Sequence, residues 1–331
     1  MVSDKDNPRL GDEGSHFYRI NGKYYLFLIH SRRDRWRRTE ACFTADSLEG
    51  EFTGGDVLDD DIGYLDQGVA QGGIVDTPDG RWYSVLFQDR GAVGRIPVLV
   101  PVRWENGLPI FGENGRIPES FPVPETAPAM PLVASDDFTT TGGPQTHGTF
   151  GLKSCWQFNH EPELSLTQLN REQGTWSVTT DKLCDDVTQA RNTLTQRMLF
   201  PRCAAEVTVS AESLKEGDVA GLCALQSCYG LIGITRSGDG YRLTIRTREN
   251  DQTTQPPEVS PEQEWESIPW ESSQVQLRIE ADFDQMKDQA AFFYRACGSE
   301  NWTQLGPVHK LYFRLDHFTG CRFGLSVYAT K

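Results

Sequence analysis

The sequence predicts an all-β protein in two parts, a set of propeller-type blades followed by a β-sandwich. Short apolar and aromatic runs recur along the chain between Gly, Asp, Asn and Pro, and helical periodicity is scarce. A proline-dense stretch between Gly112 and Pro131 separates two regions of different strand character.

In chain order, the first two runs are His16-Phe17-Tyr18-Arg19-Ile20 and Lys23-Tyr24-Tyr25-Leu26-Phe27-Leu28-Ile29. Asn21-Gly22 joins them, a dipeptide that accepts positive φ and closes a two-residue hairpin. A second hairpin runs from Gly73-Ile74-Val75-Asp76 through the turn Thr77-Pro78-Asp79-Gly80 into Arg81-Trp82-Tyr83-Ser84-Val85-Leu86-Phe87. Hairpins spaced by loops in this way suit propeller blades. Glu113 to Pro118 then leads into Pro122, Pro124, Pro128 and Pro131, whose missing N–H groups remove ladder donors and predict a linker over residues 119–131. Alternation resumes in Ala204 to Val209, Tyr241 to Arg246, Val275 to Glu280 and Ala291 to Tyr294, the period-two pattern of a sandwich. The acidic stretch from Asn250 to Pro269, with Pro256, Pro257, Pro261 and Pro269, predicts a long surface loop. The resulting division is 1–118, 119–131 and 132–331.

At 331 residues the chain is long enough for two cores. A net charge of -15 opposes phosphate backbones and anionic membrane surfaces, so neither nucleic acid nor membrane is an expected partner. The basic run Arg32-Arg33-Asp34-Arg35-Trp36-Arg37-Arg38 is expected to be a charged blade loop. No apolar stretch approaches the roughly 20 residues of a membrane helix. Met1 to Asp6 carries no apolar signal core. The eight cysteines show no zinc spacing and sit in apolar or alternating segments, which favours buried free thiols and a cytoplasmic setting. Asn301-Trp302-Thr303, a glycosylation triplet, points the other way.

Several segments carry a family likeness. Asp12-Glu13-Gly14-Ser15-His16-Phe17-Tyr18 with Gly22-Lys23-Tyr24-Tyr25-Leu26 resembles the general-acid motif of glycoside hydrolase family 43, of the β-xylosidase and α-L-arabinofuranosidase type. Gly68 to Tyr83, continuing through Phe87 to Pro97, resembles that family's last-blade region. Trp156 to His160, Ala190 to Arg197, Ala220-Gly221-Leu222 and Gln226 to Gly230 resemble its concanavalin-like C-terminal domain. The resemblance implies the last blades of a five-bladed β-propeller followed by a concanavalin-like jelly-roll sandwich. It also implies an inverting, exo-acting mechanism on xylo- or arabino-oligosaccharides, in which one carboxylic acid protonates the leaving oxygen and one carboxylate activates water.

By this likeness Glu13 is the general acid, whereas on composition alone it is a solvated loop carboxylate. Arg95 would reach sugar hydroxyls with its fixed donors, against the plainer reading of a surface ion pair. Gln71 stands where many relatives hold a central histidine, and its amide would bind water or substrate. Phe318 would wall the mouth of the pocket, or else pack in the sandwich core. Asp136-Asp137-Phe138 resembles a calcium-associated motif, which makes Asp137 the candidate ligand of a structural calcium; no cofactor is required. Of the eight tryptophans, Trp82 is expected in the core rather than as a sugar platform.

The family's base and pKa-tuning aspartates precede its acid, and only twelve residues precede Glu13 here; neither role is carried onto Asp4, Asp6 or Asp12. The expectation is therefore an incomplete, inactive piece of a glycosidase, its sandwich continuing into a strand beyond Lys331. The alternatives are a non-catalytic carbohydrate-binding sandwich, and a homo-oligomer whose chains complete each other's blades.

Overall fold

A computed structural model describes residues 11–113, 115–123, 131–140, 150–251, 258–313 and 319–331. Its described residues form strands and short 3-10 turns, and among them no helix is long and apolar enough to cross a membrane. The chain divides into two compact units, residues 1–90 with 95–126 and residues 91–94 with 127–331.

The first unit holds two four-stranded antiparallel meanders, each with the order of a propeller blade. One contains β1 (Glu13–Ile20), β2 (Lys23–Ser31), β3 (Arg38–Ala45) and β4 (Thr53–Leu58). The other contains β5 (Ala70–Asp76), β6 (Trp82–Asp89), β7 (Arg95–Glu105) and β8 (Leu108–Phe111). The β1–β2 turn forms as the sequence predicts, with positive φ at both Asn21 and Gly22. Thr77 and Gly80 close the β5–β6 turn through the 2.8 Å Gly80 N–H to Thr77 carbonyl bond.

Alternation decides what each strand buries. Tyr25 and Phe27 of β2, Cys42 of β3, Ile74 of β5, Leu86 of β6, and Val100 and Val102 of β7 join Leu58, Val69 and Phe111 in one core. Burying each large side chain of this set contributes about 1.5–3 kcal/mol. Trp82 packs edge-on against Trp104, 5.4 Å between ring centroids, and both line this core as expected for Trp82.

The second unit is a sandwich. Its strands are β9 (Gln157–Phe158), β10 (Thr167–Asn170), β11 (Thr175–Val178), β12 (Leu194–Arg197), β13 (Arg202–Ser210), β14 (Asp218–Leu225), β15 (Tyr229–Ser237) and β16 (Gly240–Arg248). These are followed by β17 (Asn250–Asp251), β18 (Glu258–Val259), β19 (Gln263–Trp270), β20 (Gln274–Asp282), β21 (Gln289–Arg295), β22 (Thr303–Gln304), β23 (His309–Lys310) and β24 (Arg322–Ala329). A seven-stranded sheet runs β19-β16-β15-β14-β24-β12-β9, and a second sheet is built on β13-β20-β21-β22, with β23 beside β21.

The loop expected from Asn250 to Pro269 is corrected here. Residues 252–257 lie outside the described set, but Gln263–Trp270 is a strand paired with β16. It is an edge strand, where proline is tolerated and charged side chains are common. Its acidic composition reflects that edge and the arginines it faces.

Every position of β14 is buried, and so are the first seven of β15. A side chain at Gly230 would meet Phe292 and His309 of the other sheet, so its neighbours Tyr229 and Leu231 point to the opposite face. There they pack with Cys184, Val187 and Ala190, a stretch that includes the 3-10 turn Val187–Gln189. The centre of this sheet is thus covered on both sides, which is why it reads as a continuous apolar run. All eight cysteines are free thiols, six of them buried.

Candidate active site

The meander topology gathers one end of each strand. The start of β1, the end of β2 and the start of β3 lie together, as do the start of β5, the end of β6 and the start of β7. Glu13, Arg38, Glu40, Gln71, Asp89 and Arg95 all occupy these ends.

Glu13 opens β1 at a bulge, where the pairing with β2 shifts between Glu13 and His16. Gly14 in the bulge has φ of +61°, and a Cβ built on it would stand 1.9 Å from Gln71 Nε2. Only glycine admits both that backbone and that approach, and the Gln71 amide thereby sits against Gly14, the residue next to the exposed Glu13. Tyr18 further along β1 accepts the Ile74 N–H at 3.0 Å, tying β1 to β5.

Gln71 itself has φ of +61°, in a bulge where the β5–β6 register shifts between Ala70 and Gly73. Its N–H donates to Glu40 Oε2 at 2.7 Å. Glu40 is 1% exposed, and burial pushes its carboxyl well above the ordinary carboxylate range despite the opposing Gln71 amide. Glu40 Oε1 and Gln71 Oε1 are both buried without a hydrogen-bond partner.

Arg95 donates from Nε to Asp89 Oδ1 at 3.3 Å, and its guanidinium lies 4.2 Å from the Phe87 ring centroid. Arg38 approaches the other oxygen of Asp89 at 3.9 Å and Trp36 at 6.0 Å. Trp36 is 48% exposed, an aromatic face beside the Arg38 guanidinium. The rest of the basic run is a charged loop held by aspartates. Arg37, 6% exposed, meets Asp59 and Asp66 at 2.6 Å and Asp61 at 3.5 Å, while Arg32 bridges Asp34 and Asp59.

His30 Nε2 lies 2.6 Å from Asp56 Oδ1 on β4 and 2.9 Å from Thr39 Oγ1 on β3. The Asp56 hydrogen bond raises the His30 pKa above 6.5, against the lowering effect of burial. Its contribution to stability is fully present below pH 6.5 and is lost as pH rises through the folded-state value. Wild type is accordingly expected to melt above His30→Gln by about 1–2 °C near pH 5.5, a margin kept small by partial solvation. That margin should shrink as pH rises above 6.5 and through the raised folded-state value, and a pH series of thermal melts checks it.

The structure brings Glu13, Gln71 and Arg95 to the same strand ends. Phe318, Asp4 and Asp6 lie outside the described residues. Asp137 accepts from Thr139 N and Thr139 Oγ1, bonds that lower its pKa. Asp136 accepts from Phe138 N and Trp156 Nε1 and faces Lys153 at 3.5 Å. Calcium takes six to eight oxygens, and among the described residues no group of three or more His, Cys, Asp or Glu is placed to hold a metal.

Arg38 lies in the basic run and Asp89 in the last-blade segment without a site role expected for either, and Glu40 lies in no motif. Glu40 could have been found by parity: in Thr39-Glu40-Ala41-Cys42-Phe43 it shares the inward side with Cys42, and a carboxyl on an inward side asks for a reason.

Residues 149–331 match the family of the Beta xylosidase C-terminal Concanavalin A-like domain. A beta-xylosidase of Formosa agariphila is 22% identical over 361 aligned positions, 96% of this chain and 56% of that protein. A bifunctional GH43-CE structure from Bacteroides eggerthii is 39% identical with a TM-score of 0.82, covering 98% of this chain and 39% of that one. The structure of an engineered GH43 glycoside hydrolase, titled as displaying endo-xylanase and exo-arabinofuranosidase activity, is 26% identical with a TM-score of 0.79. It covers 97% of this chain and 62% of its own. The chain thus spans less than two thirds of each of these relatives.

Proposed function

This chain belongs to glycoside hydrolase family 43, and from that premise we propose that it serves an exo-acting, inverting β-xylosidase or α-L-arabinofuranosidase, with Glu13 as general acid. The observation that carries the proposal is the convergence of Glu13, Gln71 and Arg95 on the same ends of two blade-like sheets. Inversion requires a proton donor on the leaving-group side and a water-activating carboxylate across the ring. Glu13 fills the first role from an exposed bulge, and Gln71, against the neighbouring Gly14, carries donors suited to a sugar hydroxyl.

Arg95 would use its fork of N–H groups on the sugar, with Asp89 and Phe87 fixing its plane. Removing a charge-assisted hydrogen bond of this type costs roughly 10–150-fold in kcat/KM. Arg95→Ala is expected in that range, and Arg95→Lys should recover little because the fork is lost. Steady-state kinetics with both variants check it.

The overall reading is tested by hydrolysis of 4-nitrophenyl β-xyloside and α-L-arabinofuranoside, using this chain and a form extended upstream in frame. Hydrolysis by either supports it. Absence of hydrolysis in the extended form, with Glu13 intact, overturns it. The rival reading, a sugar-binding sandwich without catalysis, is opposed by the covered centre of the seven-stranded sheet.

A further inference from the structure

We propose that Glu40 is the positioning residue of the Glu13 site: its buried carboxyl holds the Gln71 backbone in its bulge, and Gln71 holds the Gly14 kink that aims Glu13. The inference rests on the reading of Glu13 as the acid.

The first link is geometric. The β5–β6 ladder is interrupted between Ala70 and Gly73, so the Gln71 N–H needs an acceptor from elsewhere. Glu40 Oε2 provides it at 2.7 Å, from a different sheet and 31 residues away in sequence. Gln71 is a non-glycine residue at φ of +61°, a backbone state that persists only where its surroundings over-determine it. The Glu40 carboxyl is one such determinant.

The second link is steric. Gln71 Nε2 fills the space that a side chain at Gly14 would take, 1.9 Å from the Cβ position. Gly14 lies next to Glu13 and carries the kink in β1. A shift of Gln71 therefore opens room at Gly14, and Glu13 loses the surface against which its bulge is set.

A carboxyl at position 40 is costly to bury. Glu40 stands opposite Ile29 and Leu58 in the strand ladders and shares its core with Cys42. Leucine would fill such a place without any desolvation penalty, whereas a buried carboxyl with one unpartnered oxygen carries one. Packing alone does not account for an acid here; an acceptor for the Gln71 N–H does.

The test uses the full chain and no turnover. Glu40→Gln keeps the acceptor and the shape, while Glu40→Met keeps the volume and removes the acceptor. Amide exchange at Gln71 and the carboxyl 13C resonance of Glu13, assigned with Glu13→Gln, are the two readouts. Glu40→Met is expected to speed Gln71 exchange by about 10–100-fold relative to the β2–β3 ladder and to move the Glu13 resonance. Glu40→Gln should leave both in place. Unchanged Gln71 exchange in Glu40→Met, or an unmoved Glu13 resonance, overturns the proposal. If Glu40→Met does not fold, Gln71→Ala decides: it keeps the backbone bond and removes the contact with Gly14, and an unmoved Glu13 resonance again overturns the proposal. A protein that never hydrolyses a glycoside refutes the assigned function and leaves these readouts intact.

Discussion

Glu13→Gln is expected to lower kcat by about 10²–10⁴-fold on a xylo-oligosaccharide, the range a general acid supplies, and by far less on a 4-nitrophenyl glycoside. The asymmetry follows from the role. An alcohol leaving a sugar needs a proton on its oxygen as the bond breaks, whereas 4-nitrophenolate departs well as an anion. Glutamine keeps the size and hydrogen-bonding capacity of the side chain and removes only the transferable proton. Glu13 is exposed at the start of β1, so the substitution should change stability by no more than about 0.5 kcal/mol. Kinetics on both substrates, in whichever form of the protein turns over, give the answer. Equal losses on the two leaving groups would argue for a binding role, and no loss on either would remove Glu13 from the mechanism.

The residues that spoke most clearly in the sequence were those whose meaning is local. Asn21-Gly22 forms the turn it predicts because two successive positive φ values need little from the rest of the chain. The alternation in Ala204 to Val209 and Val275 to Glu280 survives in β13 and β20, which pair with each other along their length. Where tertiary surroundings set the outcome, sequence pattern misled. Gln263–Trp270 has the composition of an acidic loop, yet it is an edge strand that keeps Glu264 half in solvent while pairing it with Arg246 at 3.6 Å and Thr244 at 3.0 Å. Glu40 was silent for a related reason. One glutamate in an apolar strand is visible as an anomaly, but its partner is a backbone N–H exposed by a bulge 31 residues later, and no composition or spacing records that.

The two units each bury a carboxylate, with opposite solutions. Glu40 meets one backbone donor, and burial holds its pKa well above the ordinary carboxylate range. Glu262, with a side chain 5% exposed, receives the hydroxyls of Tyr229 and Tyr328 and the Arg246 guanidinium at 3.0 Å. Burial first, and then Glu262, raise both tyrosine pKa values far beyond the physiological range, so both phenols remain donors. Tyr229 also accepts the Val187 N–H at 3.4 Å, which ties this network to the segment covering the sheet.

Glu262→Ala is therefore expected to destabilise the sandwich by about 3–5 kcal/mol, because it takes the nearer carboxylate from a largely buried guanidinium, leaving it Glu264 at 3.6 Å, and takes the acceptor from two buried phenols. For a unit of this size that corresponds to a fall in melting temperature of roughly 6–20 °C. The sharper test is the double variant Glu262→Leu with Arg246→Met. Replacing both charges by apolar groups of similar volume removes the penalty together with the attraction, so the pair should recover most of the single-site loss. The two tyrosines set the limit of that recovery, since their hydroxyls lose an acceptor in either case. Chemical denaturation of the three proteins yields the coupling energy, and simple additivity of the two substitutions would show that the ion pair is not the organising contact. The same experiment bears on function. A sugar that bound the sheet through Tyr229 or Tyr328 would have to displace Glu262 and the segment containing Cys184, Val187 and Ala190. Strong coupling at Glu262 would make that face part of the scaffold, in keeping with the proposal that carbohydrate is recognised at the strand ends around Glu13 and Arg95.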